Sequence, residues 1–308
     1  MENGNCTNKS GVLTVLFKYS FRAITASAKG AEAPKRILFG ACRGPKDVPL
    51  LKKAGFDFWE WNAASAFMPD ELDESKWASR RDEILAAPLP IRSSNGFLPG
   101  KFRLTGPQAD FAPALDYAER VCRRADKVNL KTIVFGSGGA RNVPGDFTAK
   151  NRADHPDTEQ GTAQMTDFCR QLAKRIADCK VVVVIEPLRP KESNIVNFVW
   201  QGLHMVEDVG SPRIQQLADI FHMIMGREDP ESIVKAGDRL KHCHIATKEK
   251  RAYPGANDTE AFLPYFAALK RIGYTGGVSC ECSWGKKEDF EKNLDTAIAT
   301  LKSLEAQA

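Results

Sequence analysis

Lys180-Val181-Val182-Val183-Val184-Ile185-Glu186-Pro187-Leu188-Arg189-Pro190-Lys191-Glu192 is the stretch whose reading decides the fold. Its five consecutive β-branched residues lack the polar alternation of a half-wet strand, and such runs belong to parallel strands covered by helices on both faces. Pro187 has no N–H to give to a ladder, so the strand stops at Glu186. A carboxylate is thereby left at the carboxyl end of a buried parallel strand, where α/β proteins build their sites from the adjoining loops.

Outward from this strand, short β-rich runs alternate with longer helical patterns. Strands are expected over 37–42, 56–62, 89–94, 131–135, 180–186, 214–219, 240–245 and 277–281. Helices are expected over 48–54, 74–87, 109–128, 158–178, 194–207, 230–237, 258–272 and 286–306. Eight strand-helix pairs with no hairpin signal between them predict an α/β fold, a single closed (β/α)8 TIM barrel. An open doubly wound sheet is the second choice, but it wants Gly-x-Gly-x-x-Gly after its first strand, and none is there. A chain of 308 residues, 43% apolar, also suits one barrel of about 250 residues with extensions better than two small domains. The catalytic barrel is expected over 35–308.

Residues 1–34 differ from the rest. Between Glu2 and Glu32 there is no acid, basic residues are spread through the segment, and Ala26-Ser27-Ala28 precedes Ala-rich sequence. These are marks of a leader, yet the apolar core at 12–17 is only six residues long, and Lys18 and Arg22 break the sequence directly after it. An N-terminal extension is the favoured reading and a cleaved leader the alternative. The balance of 44 basic to 39 acidic residues, net +5 without a block of like charge, leaves no electrostatic footprint for nucleic acid. No apolar run approaches the ~18 residues that cross a bilayer, so no membrane association is expected. Eight cysteines without CxxC spacing read as buried reduced thiols, which favours a cytoplasmic location.

The last four strands end in Glu186, Asp219, His244 and Glu281. Three carboxylates and an imidazole on one rim are the donor set of a hard or borderline divalent cation, and without a cation such like charges would repel or take up protons. A lone strand-end acid is more often a helix cap or a rim salt bridge; four on successive strands are harder to dismiss. Alternation puts Cys280 and Cys282 on the face opposite Glu281, and His242 on the same face as His244. His242, deeper in the barrel, reads as a core histidine with a hydrogen-bonded partner. Glu60, on a face with Phe56 and Phe58, could meet a ligand hydroxyl or form a rim ion pair. Phe97, Trp200 and Trp284 read as core aromatics before mouth-shielding ones, and the Gly136–Gly139 turn with Arg141 as a plain turn before a phosphate cradle.

Several of these pieces carry a resemblance: Ile185-Glu186-Pro187-Leu188 with Glu192, Asp219-Ile220-Phe221-His222-Met223, and His242-Cys243-His244-Ile245-Ala246. Arg251-Ala252-Tyr253-Pro254-Gly255, and Gly273-Tyr274-Thr275-Gly276 running into Glu281, complete it. Together they resemble the xylose isomerase-like TIM-barrel superfamily, and within it the sugar isomerase/epimerase branch that includes ketose 3-epimerases and hydroxypyruvate isomerase. The likeness is detailed over the last 130 residues or so and looser over 55–62 and 136–142. It implies one divalent ion, manganese before cobalt or magnesium, held by Glu186, Asp219, His244 and Glu281. It also implies Glu186 and Glu281 as the acid/base pair, Glu192, His222 and Arg251 on substrate oxygens, a small sugar substrate and a homodimer or homotetramer.

That assignment is chemically coherent, because moving a proton beside a carbonyl needs a cation to polarise it and a carboxylate on either face of the carbon. Return of the proton to the opposite face gives epimerisation, and return to the neighbouring carbon gives isomerisation. A keto-sugar or keto-inositol lyase could use the same enediolate. Endonuclease IV, in the same superfamily, shares an Asp-x-x-His element like Asp219–His222 but draws on early-strand histidines, whereas this chain has none before His155. A non-catalytic sugar-binding barrel is the remaining alternative. The segment 247–250 is one residue longer than the simplest ketose epimerase spacing, which leaves the placement of Arg251 open.

Overall fold

The structure is a computed structural model that describes residues 36–145 and 156–308. The extension or leader expected over 1–34, and most of the loop beyond Asn142, lie outside the described residues. Eight parallel strands close a barrel in chain order: β1 (Leu38–Cys42), β2 (Phe58–Glu60), β3 (Ile91–Ser94), β4 (Thr132–Phe135), β5 (Val182–Ile185), β6 (Ile214–Asp219), β7 (Leu240–Ile245) and β8 (Gly277–Cys280). β8 pairs with β1 to shut the ring. The helices are α1 (Val48–Ala54), α2 (Ala63–Phe67), α3 (Glu74–Leu85), α4 (Ala112–Asp126), α5 (Gly138–Arg141), α6 (Pro156–Arg175), α7 (Val199–Val209), α8 (Ile220–Gly226), α9 (Glu231–Ala236), α10 (Thr259–Arg271) and α11 (Phe290–Gln307).

Every anticipated strand is present, β6 and β7 with the bounds expected of them and the others trimmed at one or both ends. Three short helices, α2, α5 and α8, were not expected. Each lies just beyond the carboxyl end of an even-numbered strand and is too short to show a period. Helix α7 starts at Val199 rather than 194, because Asn194 is spent on a tertiary contact: its side chain accepts from Val143 N and donates to Val143 O. Among the described residues no helix is long and apolar enough to cross a membrane, and all seven cysteines are free thiols.

Strand alternation explains why the site lies where it does. On β5, Val183 and Ile185 join the large core beneath the helices, while Val182 and Val184 pack with Val134 and Leu217 in a small separate cluster on the other face. Glu186 continues that second face, as Asp219 continues Leu217, and His242 and His244 alternate with the core residue Cys243 in the same way. The floor beneath the charged layer is filled by Phe58. A Cβ at Gly40 would overlap its ring, and one at Gly277 would come within 2.9 Å of it.

This packing sets an expectation. Gly40→Ala should destabilise the barrel by about 1–3 kcal/mol, the usual cost of overpacking, read as a lower urea midpoint. An unchanged midpoint would show that Phe58 yields and does not fill the floor tightly.

Candidate metal centre

Glu186, Asp219, His244 and Glu281 each offer a donor atom, and these atoms all lie within 4.8 Å of one another. Glu186 is the first residue beyond β5, held by its N–H to Phe135 O at 3.3 Å. Asp219 ends β6 and begins α8: its Oδ1 accepts the Phe221 N–H at 2.8 Å as the helix cap, while Oδ2 is buried without a hydrogen-bond partner. Nδ1 of His244 lies 3.1 Å from Glu186 Oε1 and 3.6 Å from Glu281 Oε2. The second oxygen of Glu281 accepts from Asn95 Nδ2 at 2.9 Å.

The residues expected to hold substrate oxygens come to the same place. His222 Nε2 is 3.4 Å from Asp219 Oδ2, outside hydrogen-bonding geometry, and 3.8 Å from Glu192 Oε2. Arg251 pairs with Glu281 and stands 3.6 Å from Asp219 Oδ2 and 3.5 Å from Glu192 Oε1. The extra residue of segment 247–250 is absorbed in a turn. Lys250 and Arg251 take left-handed backbone angles of φ 57° and 49°, Thr247 and Ala252 bond across its base, and Ala252 bridges to Ser283. The guanidinium thus reaches Glu281. A cavity of about 420 Å³ is lined by Glu186, Glu192, Arg251 and Glu281 together with Leu188, Asn95, Gly96 and the Gly136–Gly139 segment.

Several softer expectations need correction. Glu60 meets neither solvent nor a rim cation: it is fully buried, with Oε2 at 2.9 Å from His242 Nε2 and Oε1 at 3.0 Å from His244 Nε2. It is also the buried partner expected for His242. Arg141 agrees with the favoured reading, which put a structural turn before a phosphate cradle. Its guanidinium is wholly buried and donates to the carbonyls of Phe135, Glu186 and Val196 and to Ser193 Oγ, bracing the β5–α7 loop. The glycines beside it serve close packing, because a Cβ at Gly136 would overlap Glu186 Oε2 and one at Gly138 would overlap Glu192 O. Phe97 and Trp284 are core residues, as expected, while Trp200 is 45% exposed on α7. Asn95 was missed; its only signal was a polar residue just beyond a strand.

The electrostatics carry the mark of an incomplete charge balance. Burial, reinforced by Glu186 and opposed by His244, pushes the Glu281 carboxyl up to about 7. Burial alone would lower His244, but Glu60, Glu281 and Glu186 outweigh it and raise the imidazole well above its ordinary range. Burial would likewise raise Glu60, yet His244 and His242 hold it well below the usual carboxylate range. A divalent cation would take the place of protons at such groups, since it favours their unprotonated forms. The orphaned Asp219 Oδ2, the spacing of the four donors and their oxygen-rich chemistry all fit a divalent ion.

Known proteins place this geometry in a family. The model of the xylose isomerase-like TIM barrel family matches residues 48–304. An L-ribulose 3-epimerase of a Methylomonas species is 24% identical over 289 residues, covering 88% of this chain and 92% of its own length. A D-psicose 3-epimerase of Enterocloster bolteae is 31% identical over 160 residues, half of each chain. Among solved structures, a D-psicose 3-epimerase from Clostridium cellulolyticum, determined with D-tagatose, superposes with a TM-score of 0.74 over 87% of this chain and 99% of its own, at 17% identity. These relatives are epimerases, enzymes of the isomerase class. The match of barrel, rim and family model makes this chain a member of the xylose isomerase-like TIM barrel family.

Proposed function

We propose that the protein is a divalent-metal-dependent sugar epimerase of the ketose 3-epimerase type, moving a proton at the carbon beside a ketose carbonyl. The observation that carries this reading is the clustering of the four donors with Glu192, His222 and Arg251, of which Glu186, Glu192, Arg251 and Glu281 line one cavity. The curated relatives named as ketose 3-epimerases support it. Glu186, Asp219, His244 and Glu281 would hold the ion, which when bound supplies the polarisation that makes the carbon acid acidic enough to ionise.

The rest is the work of the chain's own side chains. Glu186 and Glu281, from strands three apart in the ring, both line the cavity; one removes the proton and the other returns it to the opposite face. Arg251 brings a permanent positive charge to the oxygen on which negative charge develops. His222 is a donor there: its Nδ1 accepts the Arg189 N–H at 3.3 Å, which leaves the proton on Nε2, the nitrogen beside Asp219 and Glu192.

Solvent deuterium incorporation monitored by NMR tests the reaction class, with free ketoses, keto-inositols and hydroxypyruvate offered to manganese-loaded and chelator-stripped protein. Exchange at carbon 3 of a ketose, dependent on metal, is the expected outcome; elimination of water instead would make the enzyme a lyase. Glu186→Gln and Glu281→Gln should each lower turnover about 10²–10⁴-fold with the fold retained, and full activity in either would remove it from the acid/base pair. His222→Asn and Arg251→Ala should raise KM more than they weaken metal binding. The reverse pattern would mean that the metal and substrate groups have been exchanged.

The ionisation states give an independent test. The raised Glu281 carboxyl contributes stability that is fully present below its ordinary value of 4.5 and is lost as pH rises through about 7. The raised His244 contributes stability that is fully present below 6.5 and is lost as pH rises through its higher folded value. A bound cation replaces both protons. The Tm gap between manganese-loaded and chelator-treated protein should therefore widen from about pH 5 to about pH 8. A gap that stays constant over this range would contradict the placement of the ion among these groups.

A further inference from the structure

The buried chain His242–Glu60–His244 is not needed by the acid/base steps, yet it occupies the centre of the barrel at full burial. Resting on the reading of the four donors as a metal site, we propose that Glu60 is the positioning residue of that centre: it fixes the ring of His244 so that Nδ1 presents its lone pair to the cation. The reason lies in acceptors and donors. A carboxylate accepts only, so both ring nitrogens that face Glu60 must carry hydrogen. Nε2 of His244 lies 3.0 Å from Glu60 Oε1, and Nε2 of His242 lies 2.9 Å from Oε2. With Nε2 protonated, Nδ1 of His244 is the nitrogen left for a metal, and it is the one turned toward Glu186 and Glu281 at 3.1 and 3.6 Å. The buried negative charge behind the ring also strengthens the ligand, the role carboxylates play behind metal-binding histidines generally.

His242 completes the device. By occupying Oε2 it satisfies a carboxylate oxygen that has no solvent to turn to, and its ring is itself set edge-on against Phe58 at 6.1 Å. The floor of the barrel thus locates His242, His242 locates Glu60, and Glu60 locates His244. An amide cannot replace this carboxylate, since glutamine offers one acceptor and one donor. In Glu60→Gln one of the two histidines must shift to the other tautomer, and for His244 that shift takes away the lone pair at Nδ1.

The test measures Mn2+ affinity by calorimetry and the ring nitrogens by 15N NMR of histidine-labelled, Mg2+-loaded protein. Wild type should show Nε2–H on both His242 and His244 with His244 Nδ1 on the metal, and Glu60→Gln should bind Mn2+ about 10–100-fold more weakly with altered ring-nitrogen shifts. Unchanged affinity together with unchanged His244 shifts would overturn the proposal. If Glu60→Gln does not fold, the wild-type spectrum alone decides, because a His244 bearing its hydrogen on Nδ1 in the loaded protein refutes it. A wild type that binds no divalent cation at all would instead overturn the metal reading on which this one rests.

Discussion

The structure depends on how charge is balanced inside a closed barrel. Strand alternation turns Glu60, Glu186, Asp219 and His244 toward the same interior, with Glu281 half-buried at its edge, and carboxylates stripped of water there cost several kcal/mol each unless something compensates them. The compensation is local and specific. Glu60 takes two imidazoles, Glu281 takes Asn95 and Arg251, and Asp219 takes a helix N-terminus with one oxygen. The uncompensated remainder is chiefly the buried Asp219 Oδ2 and the crowding of Glu186 against Glu281, the latter two lining the cavity. The apolar layer below, built on Phe58, Val134, Val184 and Leu217, keeps water from relieving this from beneath.

Asp219 shows how closely fold and site are joined. One carboxylate oxygen starts α8, and α8 carries His222 on its first turn. The backbone N–H of Arg189 then fixes the tautomer of that histidine from the β5–α7 loop, and the side chain of Arg189 holds Glu192 at 2.7 Å. The residues of the donor cluster and those proposed to hold substrate are therefore placed by one another, through contacts that also define where a helix begins.

Much of this was legible in the sequence because it obeys a period. The run at 181–185, the alternation about Cys243 and the four strand-end donors announced themselves through two-residue spacing, and the structure brings all four together. Arg251 was legible only through resemblance, since its position depends on a left-handed turn that no pattern announces. Glu60 and Arg141 were visible as residues but not in their roles. An acid beside aromatics and an arginine in a glycine-rich turn look alike whether they face solvent or the interior, and only tertiary placement separates the two. The short helices α2, α5 and α8 escaped for the opposite reason, having too few residues for any period.

The Gly136–Gly139 wall has a consequence for how such an enzyme can diversify. On that side the cavity is bounded by backbone packed against Glu186 and the Glu192 carbonyl, with no room at Gly136 or Gly138 for even a methyl group. Mutation cannot reshape the pocket there without displacing Glu186 or Glu192 itself. Variation in pocket shape is thereby left to the positions that line the cavity with side chains, such as Asn95, Leu188 and Arg251, so a lineage of such barrels would record its changes of diet there while Gly136 and Gly138 stayed glycine.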